Sequence, residues 1–448
     1  MAVVAGELHA VVSHLRDLAD GAEEVLGAVV AHGVELQGNR DACHARMLAP
    51  GAVGLQWCVH TRAGDWRNVR LMGWTSFFAD VSSEMAYPAI PLFLKNALRA
   101  PVAALGWTEG TAQLIIGLMA FLSGRRSDRT GRRTVWIRIG YLLAAIGKPM
   151  LALAHVWTVV LGARSVDRIG KGLRTASRDA LLADSAPPGE AGKAFGLQRA
   201  MDNAGALVGA SLAVVLLALL PDGYRAIFLL AFVPGMVAVA LTFGLRELPP
   251  TPNQIAGVKV GIPRSKPFWW AIGLVAFFEL GNSSDAFLLL RANDLGLASS
   301  ATAGAYLVYC LVAAASSYRL SGLSDRIGRA PLIVGGWLAY GAVYVGMAFA
   351  SSVAVWPLLA LYGLYFGATD GVAKALVRDA TDPEHRGQAM GLLALVRGCT
   401  LFAGNLVAGY LWDHAGHAAP FLFGAGVAGL ASVALLIAWK AGKLPALS

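Results

Sequence analysis

Asp80 and Glu84 stand four residues apart in an otherwise apolar stretch. On a helix that spacing puts both carboxylates on one face. Like charges held that close compete for ionisation, so the pair is a candidate for carrying a proton. The alternative from sequence is that both are neutralised by the cations Lys148 and Arg168. A second set, Glu279, Asn282 and Asp285, recurs at three-residue steps and reads as another polar face. Asp167, Arg168 and Lys171 form a third, and Lys148 precedes Pro149, which removes a backbone donor. Arg199, Asp202 and Arg397 lie in two further apolar runs, and Asp370 with Lys374 reads as a self-neutralising pair at i and i+4.

The segments that must position these charges are long and apolar. Of 448 residues, 56% are hydrophobic and 15% charged, against about 25% charged in a soluble domain. Runs long enough to span a bilayer fall near 69–94, 105–123, 134–155, 156–173, 194–220 and 224–245, and again near 268–290, 300–320, 331–351, 353–376, 388–411 and 417–439. The expected fold is an all-α membrane protein of about twelve transmembrane helices, six in each half. A charge at mid-membrane costs on the order of 3 kcal/mol or more unless paired or wetted, so most of the charged groups above are expected to face a central cavity.

The net charge of +9 would point to nucleic acid in a soluble protein. Here its placement explains it. Seventeen Lys and Arg fall in the even-numbered loops, Arg174 and Arg178 among them, against four in the odd-numbered loops: Lys95, Arg99, Arg225 and Arg291. The positive-inside rule then expects the even loops and both termini in the cytoplasm.

The two halves repeat one another. Ser127 to Arg132 and Ser324 to Arg329 share the pattern Ser-Asp-Arg-x-Gly-Arg at an offset of 197. Ser82-Ser83-Glu84 matches Ser283-Ser284-Asp285, Arg178-Asp179-Ala180 matches Arg378-Asp379-Ala380, and the run Gly192 to Leu197 matches Gly387 to Leu392, at offsets of 195 to 201. These matches divide the chain into an extension (1–65), an N-terminal bundle (66–247), a Pro-rich linker (248–266) and a C-terminal bundle (267–448). Repeated halves in a membrane are the architecture of secondary transporters.

The loop Gly124, Asp128, Arg129, Gly131, Arg132 and Arg133 resembles the signature between spans 2 and 3 of the major facilitator superfamily. The second copy keeps Asp325, Arg326, Gly328 and Arg329 but has Ser321 and Ala330 in place of a glycine and a basic residue. Asp167 to Thr175, with Arg168-x-x-Lys171-Gly172, is similar to a bacterial subgroup of that superfamily, and the resemblance spans roughly residues 66–440. It implies two six-helix bundles that rock about a central site, with the signature loops acting as a latch on the cytoplasmic side.

The acidic extension, including a helical stripe between Glu7 and Glu35, reads as an appendage or as a regulatory helix. The cysteines Cys43, Cys58, Cys310 and Cys399 have neither metal nor redox spacing. Asp413, His414 and His417 form a weak outer metal motif. No phosphate-binding Gly-rich loop with Lys-Ser/Thr is present, which disfavours ATP-driven pumping. The expectation is therefore no enzyme, cofactor or resident metal. It is a proton-coupled carrier, a monomer of 46.8 kDa in a bacterial inner membrane, for a small anionic or zwitterionic molecule, either exporting a drug or metabolite or importing a nutrient or chelate. The rival readings are a uniporter with structural carboxylates and a sensor that binds without translocating.

Overall fold

A computed structural model describes residues 65–130, 132–187, 190–248, 265–382 and 385–444, excepting the side chains at 121, 123–130, 318, 321, 325 and 386. The stripe between Glu7 and Glu35 and the linker around Pro252 lie outside the described residues.

Among those residues thirteen long helices follow one another: α1 (Trp66–Ala86), α2 (Val102–Thr130), α3 (Arg133–Ala152), α4 (Trp157–Ser185), α5 (Ala191–Leu219), α6 (Tyr224–Thr242), α7 (Lys266–Gly281), α8 (Asp285–Asp294), α9 (Ser299–Ile327), α10 (Arg329–Phe349), α11 (Val355–Asp379), α12 (Arg386–Ala415) and α13 (Ala419–Lys440). The short segment Ala89–Leu92 and a π-helical turn, Phe93–Ala97, extend α1. Eight helical segments among the described residues, α7 and α8 counted together, are long and apolar enough to cross a membrane. Outside those eight, α1, α2, α4 and α11 carry many of the charges treated below.

Polar residues set the helix ends. Asp65 caps α1 by accepting from the N–H groups of Arg67 and Asn68 at 3.0 and 3.3 Å. Glu247 caps α3 from the far end of its own half, accepting from the N–H groups of Arg133 and Thr134, each at 2.9 Å.

The packing repeats as the sequence does. In the first half α1 packs on α5 and α6, α3 on α4 and α6, and α2 on α4. In the second, α7 packs on α12 and α13, α10 on α11 and α13, and α9 on α11. The halves meet where α2 runs along α12 and α5 along α9. Glycines bring α2 and α12 backbone to backbone: a Cβ on Gly106 would stand 2.5 Å from the Asn405 carbonyl oxygen, and one on Gly117 2.6 Å from that of Ala394.

Three expectations are corrected. The seventh span is two helices, because Asn282, Ser283 and Ser284 prefer caps and turns to helix interior. Ser284 caps α8 by accepting from the Ala286 N–H at 3.3 Å. The fourth span extends to Ser185, so Arg174 and Arg178 are helix residues, not loop residues. Arg291 also sits in a helix, α8, buried, with its guanidinium donating to the carbonyls of Met347 and Ala348 at the end of α10.

Candidate functional site

Charge concentrates at the centre of the first half. Asp167 on α4 accepts from Lys148 Nζ on α3 at 2.6 Å. Its other oxygen lies 3.2 Å from Arg168 Nε and 3.7 Å from Arg164 Nη1. Lys148 also donates to the Ala144 carbonyl at 3.0 Å. Glycine makes the pair reachable: a Cβ on Gly147 would lie 2.9 Å from that of Asp167. Arg164 reaches across to Glu109 on α2, donating from Nη2 at 2.6 Å and Nε at 3.1 Å. All four of Lys148, Asp167, Arg164 and Glu109 are buried. Each charge is compensated, as burial demands.

Lys148 and Arg168 therefore serve Asp167, not Asp80 and Glu84 as the neutralising alternative required. Asp80 makes no hydrogen bond or ion pair among the described residues; its electrostatic neighbours are Asp202, Lys171, Arg174 and Glu84. The Lys171 ammonium likewise makes no hydrogen bond or ion pair among the described residues and interacts at range with Asp80, Glu84, Arg168 and Arg174. Arg174 is stacked over the Tyr141 ring, 4.1 Å from its centroid. Glu84 has a partner in the other half: Tyr306 on α9 donates to it at 2.8 Å.

The second half answers with rings and hydroxyls. Asp285, at the start of α8, accepts from Tyr362 at 2.7 Å. Tyr340 and Tyr344 stack with centroids 4.0 Å apart. Tyr340 donates to the Gly281 carbonyl at 2.8 Å, and Tyr344 Oη lies 2.8 Å from Ser283 Oγ and 3.3 Å from the Ser283 carbonyl. These bonds satisfy the backbone that the break between α7 and α8 frees. Phe278 stacks on Trp337 at 4.6 Å and lies 5.1 Å from Tyr340, so these rings form one packed cluster. Among the described residues of this half, Glu279 is the one buried acid. It accepts from Arg397 Nε at 2.7 Å and from Asn282 Nδ2 at 2.8 Å. Asn282 thus folds back onto Glu279 while Asp285 turns to the tyrosines, and the three do not share one helix face.

Asp202 and Arg397 lie on different helices and do not pair with each other. Asp202 faces Arg178 at 3.9 Å, and Arg397 also holds Asp370 at 3.1 Å. Lys374 and Asp370 do pair, at 2.7 Å. Arg199 is exposed on α5 and has no hydrogen bond or ion pair among the described residues.

Of the signature loop, Gly124, Asp128 and Arg129 lie in the last turns of α2, where only the backbone is described, and Gly131 lies outside the described residues. Arg132 precedes α3, and Arg133 forms an ion pair with Asp184 at the end of α4. In the second copy Gly328 takes φ 99°, Arg326 is exposed, and Arg329 pairs with Asp379 at 3.3 Å. The Asp325 side chain is outside the description. The Asp413, His414 and His417 motif dissolves. Asp413 accepts backbone N–H groups of α2, and His414 stacks on Tyr410. Trp269, Trp270 and Trp356 are exposed near helix ends, where tryptophan commonly anchors a membrane protein at the interface, whereas Trp412 is packed on Phe287 and Phe421.

Sequence reasoning missed Glu109, Arg164, Ser284 and Tyr306. The signal for the first two was available, since Glu109 is an isolated charge in an apolar run and Arg164 stands one helical turn before Asp167. Glu109 also approaches the second half, accepting from Ser284 Oγ at 3.3 Å.

Comparison with known proteins places this architecture. The chain matches the sequence pattern of the Major Facilitator Superfamily over residues 72–373 and 286–446. An uncharacterized MFS-type transporter of Methanocaldococcus jannaschii is 34% identical over 378 residues, covering 83% of this chain and 94% of that protein. The class E tetracycline resistance protein of Escherichia coli is 36% identical over 108 residues, 24% of this chain and 26% of that protein. The crystal structure of the nucleoside transporter NupG superposes with a TM-score of 0.68 at 12% identity, over 83% of this chain and 99% of that one. With helices that pair in the same order in both halves and a sequence match spanning both, the chain belongs to the major facilitator superfamily.

Proposed function

We propose that the chain is a proton-coupled secondary transporter that moves a small anionic or zwitterionic molecule across the inner membrane as a monomer. The 66–247 and 267–448 bundles rock about the central charges, and the 248–266 linker and both termini lie in the cytoplasm. The observation that carries the reading is the bond from Tyr306 to Glu84, which joins a carboxylate of one half to a hydroxyl of the other. Any rocking of the halves must break it, so the proton and hydrogen-bond state of Glu84 is tied to conformation. Asp80, beside it without a hydrogen-bonded partner, is the second carrier, and Asp285 is the third. Lys171, which lies near Asp80 and Glu84 without an ion pair among the described residues, is the cation we assign to an anionic group of the cargo. Tetracycline and quinolone resistance proteins among the relatives support export of a drug or metabolite.

The test is the pH change on adding candidate cargo to proteoliposomes, over a panel of drugs and metabolites. Wild type is compared with Asp80→Asn, Glu84→Gln and Asp285→Asn. Proton movement that disappears in the α1 variants supports coupling through that pair. Cargo flux without proton movement, unchanged in all three, makes the protein a uniporter and the carboxylates structural.

A further inference from the structure

The connections α1–α2, α5–α6, α8–α9 and α12–α13 share one end of the bundle, and the bonds between halves gather there. Lys95 pairs with Asp294, and Tyr224 Oη meets Ser299 Oγ at 3.1 Å. A helix terminus is also held at this end. α2 begins after Arg99-Ala100-Pro101, which supplies no side-chain acceptor, so its first N–H groups have no cap from their own chain segment. Asp413, near the end of α12 in the other half, supplies it. Its two oxygens accept from the Val102 N–H at 3.0 Å and the Ala103 N–H at 2.8 Å. The reach of so short a side chain depends on glycine one turn earlier: a Cβ on Gly409 would lie 2.9 Å from the Ala103 Cα. The equivalent contact between α5 and α9 has no such cap. Ala298 precedes α9, and no side chain caps it.

We propose that Asp413 is a conformational latch: it caps α2 in trans only while this end is closed, and so biases the transporter toward that state. The proposal rests on the alternating-access reading. Opening this end separates α2 from α12, and α2 then loses its cap together with the carboxylate that complements its N-terminal partial charge. Capping predicts a graded series. Asparagine caps nearly as well as aspartate, alanine does not.

The experiment measures spin-label distances across this end in the purified full-length protein in nanodiscs. The native cysteines are replaced by alanine, and labels are placed at Asp222→Cys in one half and Ser352→Cys in the other, both exposed. Asp413→Ala should raise the ratio of the longer to the shorter distance about fivefold, the factor for a typical cap of about 1 kcal/mol. Asp413→Asn should fall between wild type and alanine. It is nearly isosteric, so it keeps the test readable should the alanine variant not fold. Two distances in wild type with a ratio unmoved by Asp413→Ala overturn the latch and leave alternating access standing. Asparagine equal to alanine overturns capping in favour of simple charge. A single distance in every variant overturns the latch and the alternating-access reading together.

Discussion

α3 and α4 in the first half correspond to α10 and α11 in the second at an offset of 195 to 196, and the two pairs solve one packing problem with different chemistry. Gly140 admits Arg174 where Gly336 admits Thr369, so the helices cross at the same place. At the positions between them the first half has Lys148 and Asp167, and the second has Tyr344 and Tyr362. One half holds its centre together by charge against charge, the other by ring stacking and hydroxyl donation. The difference matters because the penalties for error differ. A buried ion left alone costs several kcal/mol, whereas a lost neutral hydrogen bond costs about 1 kcal/mol. The first half is therefore brittle toward a change of protonation, and the second is tolerant of it.

The largest effect that would break this comparison is at Asp167. Asp167→Asn leaves Lys148 buried without its counter-ion and should destabilise the protein by about 3–5 kcal/mol, read from unfolding of the purified protein in detergent. Replacing both partners, as Lys148→Met with Asp167→Leu, should recover part of that loss, because Lys148 no longer stands as a buried unpaired ion, while Arg168 still loses its carboxylate. A single variant as stable as wild type would mean that the pair is not the frame of this half.

Glu279 tests the exception in the second half. Glu279→Gln weakens a charge-assisted bond to Arg397, which keeps Asp370 as an anion. The expected loss is about 2 kcal/mol, smaller than at Asp167 because Arg397 retains a partner. Below that stands Tyr344→Phe, which keeps the ring stacked on Tyr340 and removes only the hydroxyl bound at Ser283. About 1 kcal/mol is expected. A loss as large as that at Asp167 would show the hydroxyl, and not the stack, to be the support for the break between α7 and α8.

Much of this asymmetry could be read from the chain. The offset of 195 comes from Gly192 to Leu197 against Gly387 to Leu392, and applied to Asp167 it lands on Tyr362. The helices themselves follow from unbroken apolar runs. What the sequence hid was partnership. Glu109 and Arg164 lie 55 residues apart, and nothing local joins them; only the packing of α2 on α4 does. The break after Gly281 was hidden for the opposite reason. Asn282-Ser283-Ser284 is a local signal for a cap, but apolar residues on both sides let it be taken for part of one span. Asp413 looked like a ligand because neighbouring histidines are legible in sequence, while an uncapped helix more than 300 residues away is not.

The smallest predicted effect lies at the ends of the same helices. Arg133 pairs with Asp184 and Arg329 with Asp379, again 195 to 196 residues apart. Here both halves use the same chemistry, so the comparison predicts near equality, modified by exposure alone. The Asp184 side chain is 14% exposed and that of Asp379 is 31% exposed. Asp379 also holds Arg378, a role that Asp179 fills for Arg178 in the first half. Asp184→Asn should cost about 1 kcal/mol and Asp379→Asn about 0.5 kcal/mol, within the range for exposed pairs. Salt separates them further: at about 1 M the Debye length falls to about 3 Å, and the Asp379 contribution should vanish while part of that from Asp184 survives. Stability measured at low and high salt for both variants checks this. If Asp379→Asn proved the more damaging at both salts, the rim of the second half would depend on charge as its centre does not, and the division between a charged half and an aromatic half would hold only at the level of α3, α4, α10 and α11.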